Sequence, residues 1–178
     1  GEAAVALAEW VARETNLPIS EKTFSIPSAL TQPLAPQSTV LVLGGTGFIG
    51  RALVRRLRQD GYGVRLLARN PSSCPQELID LQVEIVKGDF TDPKAVEAAL
   101  EGIEYVYHLA RGNGKTWSEF LQTDVEPTRK VGELCLEKGI KRLFYASSIA
   151  IYYAGKNAAP ITEETAPHPG IVRAAPYG

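Results

Sequence analysis

The sequence predicts an α/β fold: a doubly wound parallel sheet with helices on both faces, in three α/β/α layers. Three observations carry this. Short apolar runs alternate with helical patterns, β-α-β-α-β-α-β-α-β, between Thr39 and Ser147. The connections are short, which suits right-handed crossovers between parallel strands. The first apolar run, Val40-Leu41-Val42-Leu43, passes directly into Gly44-Gly45-Thr46-Gly47 and a helix start. The expected strand order is 3-2-1-4-5, with a ligand at the switch between the first and fourth strands.

Each element has its own signal. Glu2–Thr15 reads as an Ala-rich helix with Leu7 and Trp10 at helical spacing, ended by Asn16 and Pro18. Ile19–Ser38, with Pro27, Pro33 and Pro36, reads as a linker or extended arm, so residues 1–38 form an N-terminal segment before the domain 39–178. Thr39–Leu43 is the first strand. Phe48–Gln59 is a helix whose apolar face is expected to hold Ile49, Ala52, Leu53 and Leu57, stopped by Asp60-Gly61. Gly63–Ala68 is the second strand, Asn70–Pro75 a turn-rich loop and Gln76–Asp80 a short helix. Val83–Lys87 is the third strand. Asp92 then caps a helix that starts at Pro93 and runs to Leu100 before Gly102. Tyr105–Ala110 is the fourth strand and Arg111-Gly112-Asn113-Gly114 a flexible loop. Trp117–Lys138 is a long helical pattern, interrupted near Pro127, and Arg142–Ser147 is the fifth strand. Beyond Ala150 the pattern dissolves into loop until Pro176-Tyr177-Gly178, which reads as a helix start.

Composition narrows the function classes. With 178 residues, 44% hydrophobic and 22% charged, the chain can bury a core without staples. A net charge of −1 gives no case for nucleic acid or an anionic membrane as partner. The arginines between Arg51 and Arg58 read as a solvated helix face, from which one can lean toward a phosphate. Cys74 and Cys135 sit in no metal or redox motif, and His108 and His168 have no ligand spacing, so no metal is expected. The cysteines read as two buried thiols of a reducing cytoplasm. No apolar run is long enough to span a bilayer, and no signal peptide is visible, which together suggest a cytoplasmic protein.

The chemistry concentrates around the glycines. Gly45-x-Gly47-x-x-Gly50 fits the dinucleotide fingerprint, as does Gly44-x-x-Gly47-x-x-Gly50, and both sit between a strand and a helix. Glycines there let a pyrophosphate approach the free N–H groups of the helix N-terminus. The acidic residue that holds a ribose 2′-hydroxyl is missing after the second strand, where Arg69 stands instead. An arginine can stack on adenine and pair with a 2′-phosphate, which favours NADP, with NAD as the alternative. Asp89, after the third strand, can accept the adenine amino group or simply hold a turn. His108 reads as a packed, hydrogen-bonded histidine. Ser147, Ser148 and Tyr177 can be a strand-end pair and a surface tyrosine. Equally, a serine can orient a substrate oxygen and a tyrosine can move its proton, given a nearby cation to lower its pKa.

Taken together, these stretches resemble the extended short-chain dehydrogenase/reductase family, the NAD(P)-dependent sugar epimerase/dehydratases. The resemblance covers roughly residues 39–178. It rests on Gly44–Gly50, Gly88-Asp89, His108-Leu109-Ala110, Asp124-Val125 with Thr128, Arg142–Tyr152, Ile161–Thr165 and Pro176-Tyr177-Gly178. Departures are Asp124 for Asn, Pro127 for Gly and Tyr153 where the family often has glycine. The resemblance implies a Rossmann-type domain with Ser148 in the catalytic Ser/Thr place and Tyr177 as acid/base. The implied cofactor contacts are Gly44, Thr46, Gly47, Phe48, Ile49, Gly50, Arg69, Asp89, Phe90, Leu109, Ala110 and Ser147. The family's lysine, four positions after the tyrosine, and its C-terminal substrate domain fall beyond Gly178. The chain is therefore expected to be a truncated piece of its parent, inactive by itself. The implied partner is a small-molecule substrate, commonly a nucleotide sugar. A homodimer, or a fusion partner attached through residues 1–38, is the further expectation. The alternative reading is a non-catalytic dinucleotide sensor or a scaffold domain.

Overall fold

A computed structural model describes residues 37–152 and 160–166. The chain divides into a unit Gly1–Thr31 and a unit Gln32–Gly178, and all described residues belong to the second. The expected helix over Glu2–Thr15, Tyr153 and Tyr177 lie outside the described residues.

Five strands form one parallel sheet: β1 (Val40–Leu43), β2 (Val64–Ala68), β3 (Glu84–Lys87), β4 (Tyr105–His108) and β5 (Arg142–Tyr145), in the order β3-β2-β1-β4-β5. All four residues of β1 are buried, as a central strand covered on both faces requires. The side chains alternate between two cores. Val40, Val42 and Leu66 meet Val54 and Leu57 of α1 (Phe48–Gln59) and Leu78 of α2 (Gln76–Asp80). Leu41, Leu43 and Val106 meet Val96 of α3 (Pro93–Ala99) and Val131 and Leu134 of α5 (Glu126–Glu137). The three expected layers are present.

Most local signals act as the sequence predicts. Asp92 caps α3, its Oδ1 accepting from Lys94 N at 3.0 Å, with Pro93 in the first turn. Cys74 and Cys135 are both buried free thiols, and burial pushes the Cys135 thiol up to about 11.

One local expectation needs correction. On α1, Ile49 and Ala52 are exposed, and the residues against the sheet are Gly50, Val54 and Leu57. The helix is seated by Gly50, which packs on the glycine turn, so the inward face is rotated from the one hydrophobicity alone selects. The arginines of α1 form a solvent-facing row, as expected, and carry surface ion pairs and hydrogen bonds. Arg51 and Arg55 both pair with Glu77 of α2, Arg56 pairs with Asp60, and Arg58 donates to the carbonyls of Leu81 and Tyr62. The long helical pattern is interrupted just before Pro127, as the sequence predicts, by a widened turn rather than a break. A short helix α4 (Trp117–Phe120) runs through a π turn, Leu121–Val125, into α5. Proline lacks an N–H and its ring crowds the carbonyl four residues back, here Thr123. Widening by one residue absorbs that crowding and leaves the Thr123 carbonyl without its usual helical donor.

Candidate functional site: a dinucleotide-type cleft at the strand switch

The site is built on the turn between β1 and α1. Gly44 has φ +85, a left-handed backbone that glycine adopts without penalty. A Cβ on Gly44 would lie 2.7 Å from Ala110 N and 2.8 Å from Leu109 C, so the turn rests directly on the end of β4. Gly47 N donates to Gly44 O at 3.1 Å and closes the turn. A Cβ on Gly50 would collide with Gly44 O and lie 2.7 Å from Gly45 Cα, so glycine there allows α1 to touch the turn. The N-cap Gly47 has no side chain to accept from the first turn of α1, and that turn carries no acidic residue. Its N–H groups and dipole thus favour an anion.

Above this turn lies a cleft of about 460 Å³ at the carboxyl ends of the strands. It is lined by Leu43, Gly44, Thr46, Gly47, Leu67, Ala68, Arg69, Gly88, Asp89, Phe90, Thr91, Leu109, Ala110, Arg111, Gly112, Asn113 and Thr123. This is the switch between β1 and β4, where open α/β sheets bind ligands. The structure therefore brings together Gly44, Thr46, Gly47, Arg69, Asp89, Phe90, Leu109 and Ala110 from the expected set. Gly50 lies beneath the turn as a packing residue, and the side chains of Phe48 and Ile49 face solvent. Ser147 and Ser148 follow the end of β5, exposed, and do not line the cleft.

At the β2–β3 end of the cleft, Asp89 Oδ1 accepts from Thr91 N and Thr91 Oγ1, both at 3.0 Å. Its Oδ2 faces Arg69 Nε at 4.0 Å. The Arg69 side chain is 76% exposed, so this pair contributes little to stability, and the arginine remains available to a ligand. Beneath the cleft, His108 is fully buried, with Nε2 3.0 Å from Thr128 Oγ1 of α5. The rings of Phe90, in the cleft wall, and Tyr145 pack on it with centroids 5.2 and 5.5 Å away. Burial drives the His108 pKa down to about 4, against an opposing pull from Asp124. His108 is thus a neutral structural imidazole, as the sequence suggests.

Sequence reasoning missed Arg111, Asn113 and Thr123 as lining residues. The signal for the first two was present, since the loop after the fourth strand opens at the strand switch. Thr123 gave none, because its position depends on the π turn. Among the described residues, no group of three His, Cys, Asp or Glu is placed to hold a metal ion, and no helix is long and apolar enough to cross a membrane.

The sheet order, the glycine turn and the cleft over the strand switch define a Rossmann-type nucleotide-binding domain. Residues 40–178 match the family described as NAD dependent epimerase/dehydratase, and the chain belongs to that family. Among curated relatives, the 3 beta-hydroxysteroid dehydrogenase/Delta 5-->4-isomerase of Mycobacterium tuberculosis is 33% identical over 138 residues, 72% of this chain. Those residues make up 36% of that relative, so the chain spans about a third of its length. Among solved structures, UDP-glucose 4-epimerase of Thermotoga maritima with UDP-glucose superposes with a TM-score of 0.66 at 28% identity, covering 79% of this chain and 46% of that one. The Thermus thermophilus UDP-glucose 4-epimerase complex with NAD gives 0.64 at 26% identity, covering 78% and 47%.

Proposed function

We propose that this chain is the cofactor-binding part of an NAD(P)-dependent oxidoreductase of the epimerase, dehydratase or reductase type. The observation that carries the reading is the cleft itself. A glycine turn without side chains and an uncapped helix start lie at one side, and an adenine-side pair, Arg69 and Asp89, at the other. Glycine at 44 and 50 lets the turn pack against β4 and α1, and Gly47 leaves the uncapped start of α1 bare of side chain, which suits a dinucleotide's diphosphate. Gly44, Thr46 and Gly47 would hold the diphosphate, Asp89 the adenine amino group and Arg69 a 2′-phosphate, which favours NADP over NAD.

When bound, a nicotinamide cofactor supplies hydride transfer at a carbon bearing a hydroxyl or keto group. Ser148 orients the substrate oxygen, and Tyr177 takes or gives its proton. The substrate is a small molecule; UDP-glucose in the Thermotoga maritima relative makes a nucleotide sugar one class to test. Residues 1–38 serve as an N-terminal arm toward a partner or preceding domain, and the setting is cytoplasmic. A non-catalytic sensor or scaffold is the competing reading, since Ser147 and Ser148 lie outside the cleft wall.

Kinetics on the complete parent protein separate the two. Tyr177→Phe and Ser148→Ala should each lower kcat by about 10²–10⁴-fold with cofactor affinity unchanged. A parent that binds dinucleotide but shows no turnover with keto or hydroxy substrates supports the sensor instead.

A further inference from the structure

Asn113 and Thr123 line the same cleft from two separate segments, the loop after β4 and the π turn between α4 and α5. Glycine packing brings these segments together. A Cβ on Gly112 would collide with Thr123 O and lie 2.8 Å from Thr123 Oγ1. A Cβ on Gly114 would lie 2.6 Å from Phe120 N and 2.9 Å from its Cγ. The loop is thus seated on the helix at the residues on both sides of Asn113. Just beyond, Glu119 closes a capping box with Thr116 and also accepts from Lys115 N at 2.6 Å. Asn113 is therefore held in the cleft wall through its neighbours. Its own side chain is exposed there and makes no hydrogen bond to any described residue.

The strand order, β3-β2-β1-β4-β5, identifies the part of a ligand that meets this pair. Arg69 and Asp89 stand after β2 and β3, and the glycine turn stands after β1. A dinucleotide with its adenosine at the first and its diphosphate at the second carries its other ribose over the next strand, β4, where the Asn113 loop begins. A ribose presents two adjacent hydroxyls. A carboxamide sets an acceptor oxygen beside N–H donors, which suits such a diol. Thr123 Oγ1 donates its proton to Glu119 O at 2.8 Å, so its lone pairs remain to accept from a hydroxyl.

We propose that Asn113 and Thr123 recognise the ribose on the nicotinamide side of the dinucleotide. The assignment rests on the cofactor reading above and extends it to the β4 side of the cleft. A ribose held there directs the nicotinamide toward the end of β5, which Ser148 follows.

Calorimetric titration of the complete protein tests it with NADP, ADP-ribose and ADP, the last two differing by that ribose. Asn113→Ala should weaken NADP and ADP-ribose by a common factor, about threefold to tenfold, and leave ADP unchanged. Thr123→Val, which removes the hydroxyl at nearly constant volume, should do the same. Melting temperatures near that of wild type establish that both variants fold. Undiminished ADP-ribose affinity in either variant overturns the pair while leaving the cofactor site standing. A loss confined to NADP also overturns it, because the contact would then be to the nicotinamide. An equal loss for all three probes overturns it as general distortion of the cleft. If wild type binds none of them, the cofactor reading itself falls, and the ribose assignment with it.

Discussion

Arg69 Nε stands 4.0 Å from Asp89 Oδ2, across the end of the cleft where β2 and β3 finish. The pair is too exposed to contribute much to folding. Arg69→Ala should leave unfolding free energy within about 0.5 kcal/mol of wild type. It should weaken NADP about tenfold while leaving NAD nearly unchanged. Parallel titrations of both cofactors check this, and an unaltered NADP/NAD ratio removes Arg69 from cofactor selection.

His108 gives a pH dependence. Its native pKa is held at about 4 by burial, below the ordinary 6.5, so the unfolded chain takes up the proton first as pH falls. The group's contribution to stability is complete above the unfolded value and declines as pH drops from 6.5 to about 4, levelling off below that. The full difference is on the order of 3 kcal/mol. Urea unfolding of wild type and His108→Gln across this range isolates the effect, because the surrounding carboxylates titrate in both proteins. Identical slopes would show that the imidazole protonates without cost.

Two glycines in helices should respond oppositely to alanine. At Gly50 the added Cβ meets the backbone of Gly44 and Gly45, which cannot move without opening the turn. Gly50→Ala should destabilise by about 1–3 kcal/mol and abolish dinucleotide binding. At Gly132, within α5, an added Cβ has nothing within 4 Å. Gly132→Ala should stabilise by about 0.5–1 kcal/mol, since only the unfolded chain loses freedom. Chemical denaturation of both variants measures the contrast.

The sheet order and the centre of the site were legible because each depends on short-range signals. Val40–Leu43 running into Gly44 reads as strand and turn, and Asp92-Pro93 reads as a helix start. What escaped the sequence depends on contacts between distant segments. Ile49 belongs to the apolar periodicity of α1, yet the seating of Gly50 on the turn leaves it exposed. Glu77, far along the chain, takes up Arg51 and Arg55. The π turn has no pattern of its own, because Pro127 signals a disturbance without saying whether the helix breaks or widens. Thr123 lies in that turn and lines the cleft from there. Ser148 was recognised by resemblance, and it follows β5 without being among the residues that line the cleft.

The glycine turn as a dinucleotide cradle is tested most directly at Gly47. Its backbone is extended, with φ −75 and ψ 173, and an added Cβ has only Gly44 O nearby, at 3.3 Å. Gly47→Val keeps an allowed backbone, asks Gly44 O to give by a few tenths of an ångström, and places methyl groups over the N-terminus of α1. NADPH titration followed by fluorescence should show saturable binding to wild type, competed by NADP. For Gly47→Val, binding should weaken by more than about tenfold with the melting temperature nearly retained. Undiminished NADPH binding by a folded Gly47→Val, or no binding by wild type, would contradict the assignment of this turn as the cofactor site.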